Sequence, residues 1–265
     1  MAHGLKIAVS GKGGVGKTTL SALLCELFAR EGKVLAIDAD PDANLGMALG
    51  FSDDALQTLT AISEDKQLLK ERTGAEPGIG GQMFTLNPEV ADIPDKYVIE
   101  RGDIRLMRMG KLTRAGGGCT CSENALLKHL LRHLVLQRHE TVIVDMEAGL
   151  EHLGRGTAEG VDAFLVVVEP GQRSVETARE VFRMANELGV GRVYAVVNKV
   201  NREQRAKVAQ MLSFAAILGY LPYDPSVVDA DLNGTSLSRL STEFLAGVQE
   251  LHARLKGELV GVGLG

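Results

Sequence analysis

A glycine-rich stretch near the start of the chain, Gly11 to Thr19, constrains the fold more than any other feature. It reads Gly-Lys-Gly-Gly-Val-Gly-Lys-Thr-Thr and fits the spacing G-x-x-x-x-G-K-[ST] of a phosphate-binding loop. In such a loop the backbone N–H groups surround the phosphates, the lysine contacts phosphate oxygens, and the hydroxyl binds Mg²⁺. Apolar patterning predicts a strand over 5–10 and a helix over 18–30. The phosphates would therefore lie at a helix N-terminus.

This loop supplies most of the residues that we expect to bind a nucleotide. Lys17 is the predicted catalytic lysine, and Thr18 is the predicted magnesium ligand. A glycine-rich surface turn is the alternative interpretation, but the strand and helix on either side favour the phosphate loop. The predicted nucleotide contacts of the stretch are Gly11, Lys12, Gly13, Gly14, Val15, Gly16, Lys17, Thr18 and Thr19.

Carboxylates follow two of the predicted strands, at Asp38 and Asp145. Because the carboxyl ends of parallel strands border the same crevice, these acids should lie near the phosphate loop. We expect Thr18 to bind Mg²⁺ directly, with Asp145 as outer partner and Asp38 as further support. Phosphoryl transfer also needs a group that orients the attacking water, and Asp40 is the predicted catalytic residue for that task. The alternative is that Asp38 and Asp40 are helix caps or solvated turn residues.

The identity of the base can be argued from Asn198-Lys199-Val200-Asn201, which follows a predicted strand. The guanine-reading pattern N-K-x-D would place a carboxylate where Asn201 stands, so its absence argues against GTP. The Asn198 amide can pair with the amino group and ring nitrogen of adenine. We therefore expect ATP and ADP as ligands, with Asn198 and Lys199 among the nucleotide contacts. A strand that ends in an ordinary polar residue is the alternative.

Strands and helices alternate along the rest of the chain, which predicts a mostly parallel, twisted α/β sheet covered by helices on both faces. No linker composition divides the sequence, so residues 1–265 are expected to form one P-loop NTPase domain. Residues 51–111 match no motif. The further predicted strands cover 33–38, 104–109, 141–145, 163–169, 192–198 and 216–221, and the further helices 66–72, 175–188, 202–212 and 242–259.

Composition excludes several classes of function. The net charge is −5 and aromatic residues make up 4% of the chain, so no basic surface for nucleic acid is expected. Apolar runs have the length of strands, well short of the about 20 residues that cross a bilayer. The helix predicted over 242–259 has a polar face of mixed charge, which favours packing over membrane anchoring. The first residues do not resemble a signal peptide, so the chain is expected to be cytoplasmic. Neither nucleic acid nor a membrane is expected as a partner.

Two of the three cysteines form the motif Cys119-Thr120-Cys121. Thr120 and Glu123 fit a capping box, which would place Cys121 in the first turn of a helix, where the positive helix end favours thiolates and metal binding. Cys25 is expected in the core. Two thiols are half of a soft-metal site, and a two-fold dimer would place four around one ion, tetrahedrally for Zn²⁺ or in a plane for Ni²⁺. A structural pair without metal is the alternative.

The full set of motifs resembles the deviant P-loop ATPases that include MinD, ParA and the nitrogenase iron proteins. The mark of that group is an additional lysine in the loop, here Lys12. More closely, the chain resembles the carbon monoxide dehydrogenase accessory ATPases of the CooC type. This resemblance depends on Asp38-Ala39-Asp40-Pro41-Asp42, Cys119-x-Cys121, the stretch from Asp145 to Leu153, Asn198-Lys199 and Leu221-Pro222-Tyr223.

The resemblance implies a homodimeric, Mg²⁺-dependent ATPase in which Lys12 contacts the nucleotide of the partner subunit and Pro222 borders the nucleotide. It also implies that paired Cys119-x-Cys121 motifs at the dimer interface carry Ni²⁺ or Zn²⁺ for carbon monoxide dehydrogenase, with acetyl-CoA synthase as an alternative client. Two other functions stay open: a MinD- or ParA-like switch without metal cargo, and an iron–sulfur electron donor. The sequence lacks the basic amphipathic C-terminal helix of the first and the widely separated cluster cysteines of the second.

Overall fold

Short apolar strands, three of them buried along their whole length, form the centre of the protein in a computed structural model. The structure describes residues 4–77, 79, 81–110, 121–137, 139–148, 155–158, 160–232 and 240–260. The strands are β1 (Lys6–Gly11), β2 (Val34–Ala39), β3 (Ile99–Arg101), β4 (Ile104–Arg108), β5 (Thr141–Met146), β6 (Ala163–Val168), β7 (Val193–Val197) and β8 (Ala216–Tyr220).

The strands pair into one sheet of eight in the order β3-β4-β2-β5-β1-β6-β7-β8. Every neighbouring pair is parallel except β3 with β4 at one edge. Parallel neighbours need crossover connections, and helices provide them. Because β1 lies between β5 and β6, the loop that follows it emerges at the centre of the sheet. This arrangement confirms the predicted fold class.

Helices cover both faces of the sheet. They are α1 (Lys17–Ala29), α2 (Leu45–Ala48), α3 (Asp53–Thr58), α4 (Lys66–Thr73), α5 (Ile93–Lys96), α6 (Cys121–Gln137), α7 (Arg155–Ala158), α8 (Gln172–Glu187), α9 (Arg205–Met211), α10 (Pro225–Leu232) and α11 (Thr242–Val260). Alternate residues of each strand point to opposite faces. Ile7 and Val9 of β1 therefore pack in a core with α1 and α11, while Ala8 packs in a second core with α6 and α8.

The predicted and observed elements agree to within a few residues wherever the apolar pattern is strong. The segment from 51 to 111 differs most, because it contains α3, α5 and β3, none of which was predicted. These elements are short, and β3 is half-buried or exposed along its length, so their sequences carry little periodicity. Helix α9 begins at Arg205, later than predicted, because Asn201 and Gln204 form reciprocal hydrogen bonds in a turn before it.

The last helix, α11, packs against α1 and β8. Its apolar side chains Phe244, Val248, Leu251 and Leu255 are buried, which confirms the prediction of a packing helix. No helix in the described part of the chain has both the length and the apolar content that a membrane span requires.

Shortening a core side chain of α11 should destabilise the protein. Leu251 is 3% exposed, and a buried Leu→Ala change costs about 2–5 kcal/mol through lost burial and a residual cavity. We expect Leu251→Ala to lower the free energy of unfolding by that amount in urea titration. The same change at Leu86, which is 69% exposed, is the control and should cost less than about 0.5 kcal/mol. Equal effects at both positions would contradict the packing described here.

Candidate nucleotide-binding site

The phosphate loop leaves the carboxyl end of β1 through a close approach to β6. Gly11 has a φ of 146°, and a Cβ atom there would lie 2.4 Å from the carbonyl oxygen of Val167. Only glycine can occupy this position without displacing the neighbouring strand. Beyond it, the N–H of Val15 donates to the carbonyl oxygen of Lys12 at 3.4 Å. The loop thus turns back toward α1.

The N-terminus of α1 has no side-chain cap. Its N-cap is Gly16, with a left-handed φ of 95°, and its first turn contains no acid. The first N–H groups of a helix have no intrahelical partner, and together with the helix dipole they favour an anion. The phosphate-binding geometry predicted for this stretch is therefore available at the end of the loop.

Asp145 joins α1 to the end of β5. Its carboxylate is 0% exposed, and it accepts hydrogen bonds from the hydroxyls of Thr18 at 2.7 Å and Ser21 at 2.9 Å. The structure thus brings together Thr18 and Asp145, two of the three residues predicted to lie at Mg²⁺. Ser21 was not predicted. The sequence offers one indication of this role: Ser21 follows Thr18 by three residues, and this spacing puts both hydroxyls on one face of the helix.

Asp38 lies beside Asp145, since β2 and β5 pair these residues directly. Its two carboxylate oxygens accept from the backbone N–H groups of Asp40 at 3.3 Å and Leu45 at 3.0 Å. Leu45 is the first residue of α2, so Asp38 also satisfies a free helix donor. Asp38 therefore has features of both interpretations, because it is paired with Asp145 and also accepts from the first residue of α2.

Burial shifts the titration of both acids. Desolvation, and then the charge of Asp145, raise the pKa of Asp38 to about 7. Desolvation raises the pKa of Asp145 to about 6, against the opposing effect of its hydroxyl donors and of Lys17. Two buried carboxylates and the Thr18 hydroxyl are hard oxygen donors of the kind that Mg²⁺ binds. The residues present therefore fit a bound Mg²⁺ ion.

The loop lysine and the predicted water-orienting acid lie close together. Lys17 Nζ is 3.7 Å from Asp40 Oδ2, and the two side chains are only 7% and 12% exposed. Asp40 also accepts from the N–H of Asp42 at 3.1 Å, as a turn residue does. Its carboxylate therefore belongs both to a turn and to the cavity wall next to Lys17.

Lys12 differs from Lys17 in its surroundings. It is half-buried and lies outside the residues that line the cavity. Within the described ranges, no hydrogen bond or ion pair engages its ammonium group. Lys12 thus differs from Lys17, which lines the cavity.

The loop forms one wall of a cavity of about 540 Å³. This volume lies within the range of about 300–1,000 Å³ typical of small-molecule sites. Predicted residues that line it include Gly13, Gly14, Gly16, Lys17, Thr18, Thr19, Asp40, Asn198, Lys199 and Pro222. Lining residues that sequence reasoning missed are Asp42, Asn44, Met47, Ala48, Glu147, Ala148, Tyr223, Asp224, Val227, Val228, Ala230 and Phe244. For Val227, Val228, Ala230 and Phe244 the sequence signal is weak because α10 and α11 reach the site only through tertiary packing.

Asn198 and Lys199 reach the cavity from the end of β7. The Asn198 amide donates to the carbonyl oxygen of Val15 at 2.8 Å and accepts from the Lys199 N–H at 2.9 Å. Lys199 Nζ donates to the carbonyl oxygen of Gly14 at 2.6 Å and lies 3.4 Å from Glu169. Both side chains are therefore bonded to the phosphate loop.

The cysteine motif lies largely outside the described residues. Cys119 is not described, and of Cys121 the structure gives only that it begins α6, in agreement with the predicted helix start. The proposed cap at Thr120 likewise falls outside. Cys25 is fully buried on α1, and burial raises the pKa of its thiol well above the usual value. The prediction that Cys25 belongs to the core is confirmed.

The raised pKa of Asp38 predicts a pH dependence of stability. A carboxyl whose pKa is higher in the folded state stabilises the fold at low pH, and this contribution is lost as pH rises through the folded value, here about 7. Without nucleotide or Mg²⁺, Asp38 should therefore reduce the free energy of unfolding by about 2 kcal/mol between pH 5.5 and 8.5.

The matched comparison is Asp38→Asn, which keeps the shape of the side chain and removes its charge. Urea titrations of both proteins across this pH range give their free energies of unfolding. The free energy of the variant relative to that of the wild type should increase as pH rises. Other groups, such as His252, titrate in both proteins and cancel in that difference. A difference independent of pH would contradict the raised pKa.

Comparisons with known proteins agree with this geometry. Residues 6–237 match the family model described as the CobQ/CobB/MinD/ParA nucleotide binding domain. The carbon monoxide dehydrogenase accessory protein CooC of Rhodospirillum rubrum is 44% identical over 241 residues, which cover 89% of this chain and 90% of that protein. An uncharacterized ATP-binding protein of Methanocaldococcus jannaschii is 40% identical over 238 residues, or 88% and 91% of the two chains.

Solved structures share the fold. The cell division protein MinD of Aquifex aeolicus aligns with a TM-score of 0.64 at 24% identity over 96% of this chain and 97% of that one. The cell division ATPase MinD of Pyrococcus furiosus gives 0.68 at 17% identity, with coverages of 96% and 99%. The chain therefore belongs to the CobQ/CobB/MinD/ParA nucleotide-binding family, and within it to the P-loop ATPases of the CooC type.

Proposed function

We propose that this ATPase serves the maturation of carbon monoxide dehydrogenase, and that it binds Ni²⁺ or Zn²⁺ as cargo at Cys119 and Cys121. The observation that carries the proposal is the 44% identity, over nine-tenths of both chains, to a protein named as an accessory protein of that enzyme. Acetyl-CoA synthase is the alternative client. The single sheet supports the further proposal that residues 1–265 form one domain.

The chain's own residues suggest how hydrolysis proceeds. We propose that the uncapped start of α1 and the Lys17 ammonium hold the phosphates, and that Thr18, Asp145 and Asp38 hold Mg²⁺. The bound ion would neutralise charge on the β- and γ-phosphates. Asp40 orients the attacking water. Its position 3.7 Å from Lys17 Nζ supports this role, because a phosphate that engages the lysine would free the carboxylate to accept from water.

The adenine base would complete the nucleotide's contacts at the far wall of the cavity. Pro222 lines that wall together with apolar residues of α10 and α11. Such a surface suits a flat, apolar ring system, since ligand cavities are lined mainly by hydrophobic side chains with a few polar groups. ATP and ADP suit this cavity because their phosphates match the polar loop and their adenine ring matches the apolar wall.

A homodimer would bring the remaining predicted residues into use. Lys12 is half-buried, lies outside its own cavity, and has an ammonium group that no described residue engages. We propose that it contacts the nucleotide of the partner subunit, so that ATP binding draws two chains together. The same two-fold symmetry would pair Cys119 and Cys121 with their copies, giving four thiolates for one metal ion.

Coupling between these sites would convert ATP binding into metal handling. The dimer closed around ATP would hold the four cysteines together, and hydrolysis would open it and release the metal to the client. Within the described residues, no cluster of three or more histidine, cysteine or acidic side chains could hold a metal on one chain. The proposal requires a shared site because one chain offers the ion only the two thiols of Cys119 and Cys121.

A switch without metal cargo is the second candidate, and the likeness to MinD structures favours it. Against a membrane-bound switch of that kind, α11 buries its apolar face inside the protein. ATP-dependent co-sedimentation with anionic liposomes would support the switch. An iron–sulfur electron donor would instead show visible absorption when purified without oxygen.

Removing the loop lysine should abolish hydrolysis. Lys17→Ala deletes a buried cation from the phosphate site, and the loss of one preorganised group that stabilises transition-state charge lowers kcat by about 100-fold or more. The measurement is phosphate release at saturating MgATP. Lys207→Ala on the exposed face of α9 is the control and should retain wild-type activity. Full activity of Lys17→Ala would exclude this loop as the catalytic site.

Metal binding should depend on both cysteines of the motif. Anaerobically reduced protein is expected to bind one Ni²⁺ or Zn²⁺ per dimer, and Cys119→Ser or Cys121→Ser should remove it, because a serine hydroxyl is a poor ligand for either ion. Cys25→Ala is the matched control, since this thiol is fully buried in the core. Elemental analysis and light scattering, with and without ATP, give stoichiometry and mass. Retained metal in both serine variants would refute the proposed site.

A further inference from the structure

The hydroxyl of Ser10 binds the chain at the point where it leaves β5. Ser10 is 0% exposed in β1 and precedes Gly11, where the phosphate loop begins. Its hydroxyl donates to the carbonyl oxygen of Glu147 at 2.6 Å. The two strands pair through their backbones as far as Val9 and Asp145. The Ser10 hydroxyl therefore extends the link between β1 and β5 beyond their last paired residues.

Packing alone does not require a hydroxyl at this position. Side chains alternate between the two faces of a strand, so Ser10 lies on the same face as Ala8, which is also 0% exposed. An alanine thus fills the equivalent position two residues earlier. A buried hydroxyl is unfavourable unless it makes a hydrogen bond, and the contact with Glu147 offsets the burial of this polar group.

The peptide group that Ser10 holds has no other attachment in the described part of the chain. The carbonyl oxygen of Glu147 and the N–H of Ala148 belong to one planar trans peptide, so a bond to the oxygen restricts the orientation of both groups. Within the described ranges, no further hydrogen bond or ion pair holds either residue, and the Glu147 side chain is exposed. The Ser10 hydroxyl is therefore the contact that fixes this peptide relative to β1.

This peptide lies at the phosphate end of the nucleotide cavity. Glu147 and Ala148 both line the cavity, and they follow closely after Asp145, which accepts from the Thr18 hydroxyl at 2.7 Å. On its other side β5 pairs with β2, and the residue that follows β2 is Asp40, the acid proposed to orient water. The chain that leaves β5 thus emerges between the phosphate loop and the strand that leads to that acid.

We propose that Ser10 is a positioning residue for ATP hydrolysis. It holds the peptide between Glu147 and Ala148 at the place where the terminal phosphate and the attacking water meet. This inference rests on the proposed roles of Thr18, Asp145 and Asp40 in hydrolysis, but not on metal binding by the cysteines. The wall at Pro222 and α10 lies on other elements, so the contacts proposed for the base do not depend on Ser10.

The test is to remove the hydroxyl and to measure hydrolysis and binding separately. In Ser10→Ala, the single-turnover rate with saturating MgATP should fall roughly tenfold, the size expected for one buried hydrogen bond that contributes in the transition state. The affinity for ADP with Mg²⁺, measured by calorimetric titration, should change by less than about twofold, because ADP lacks the terminal phosphate.

Two further variants separate positioning from a loss of stability. Ser10→Thr keeps a hydroxyl on the same Cβ atom and should recover most of the single-turnover rate. Thr73→Val is the matched control, because the Thr73 hydroxyl is also buried, at 1% exposed, and donates to the carbonyl oxygen of Leu69 at 2.6 Å outside the cavity. It should lower the melting temperature as Ser10→Ala does, and leave the hydrolysis rate unchanged.

The outcomes are distinct. A tenfold slower rate in folded Ser10→Ala with unchanged ADP affinity supports the proposal, and it does so even where the added methyl group of Ser10→Thr disturbs the fold. An unchanged rate, an equal loss of ADP affinity, or an equal loss of rate in Thr73→Val would overturn it. Wild-type protein that binds ADP but hydrolyses no ATP would instead refute the proposed hydrolysis mechanism. Circular dichroism and thermal melting identify any variant that has lost its fold.

Discussion

The site depends on one buried carboxylate, Asp145, and on what surrounds it. A carboxylate removed from water is unfavourable unless donors or cations compensate. Here the hydroxyls of Thr18 and Ser21 donate to both of its oxygens, and those hydroxyls belong to the helix that the phosphate loop begins. The sheet therefore fixes α1 through this acid, and the loop has a defined end point as well as a defined start at Gly11.

Compensation at this position is incomplete, because Asp38 is buried beside Asp145 on the neighbouring strand. Desolvation, and then the charge of Asp145, raise the pKa of Asp38 to about 7, and desolvation raises the pKa of Asp145 to about 6. The fold thus leaves a deficit of positive charge around two buried carboxylates at the carboxyl edge of its central strands. A divalent cation would relieve that deficit most directly, which explains why buried acids at this edge suit a site for Mg²⁺ and phosphates together.

The sequence predicted those parts of the structure that have a local cause. Apolar strands and the fixed spacing of the loop define the sheet and the start of α1, and the acids that end β2 and β5 could be placed because parallel strands end at one edge. Partners distant in the chain could not be predicted. The Asn198 amide bonds to Val15, 183 residues away, and the N-K pattern alone does not distinguish that contact from a bond to a base. The wall from α10 likewise depends on packing.

The loop is consequently held at three places by three different elements: β6 at Gly11, β5 through Asp145, and β7 through Asn198 and Lys199. Each attachment uses a different interaction, namely a close backbone approach, a hydroxyl–carboxylate pair and side-chain donors to carbonyl oxygens. The strands that carry these attachments are neighbours in the sheet, since β1 pairs with β5 and β6, and β6 pairs with β7. Lys12 lies between the attachments at Gly11 and at Gly14, and no described residue engages its ammonium group. The sheet therefore fixes the backbone on both sides of Lys12, while the Lys12 side chain has no hydrogen-bond or ion-pair partner among the described residues.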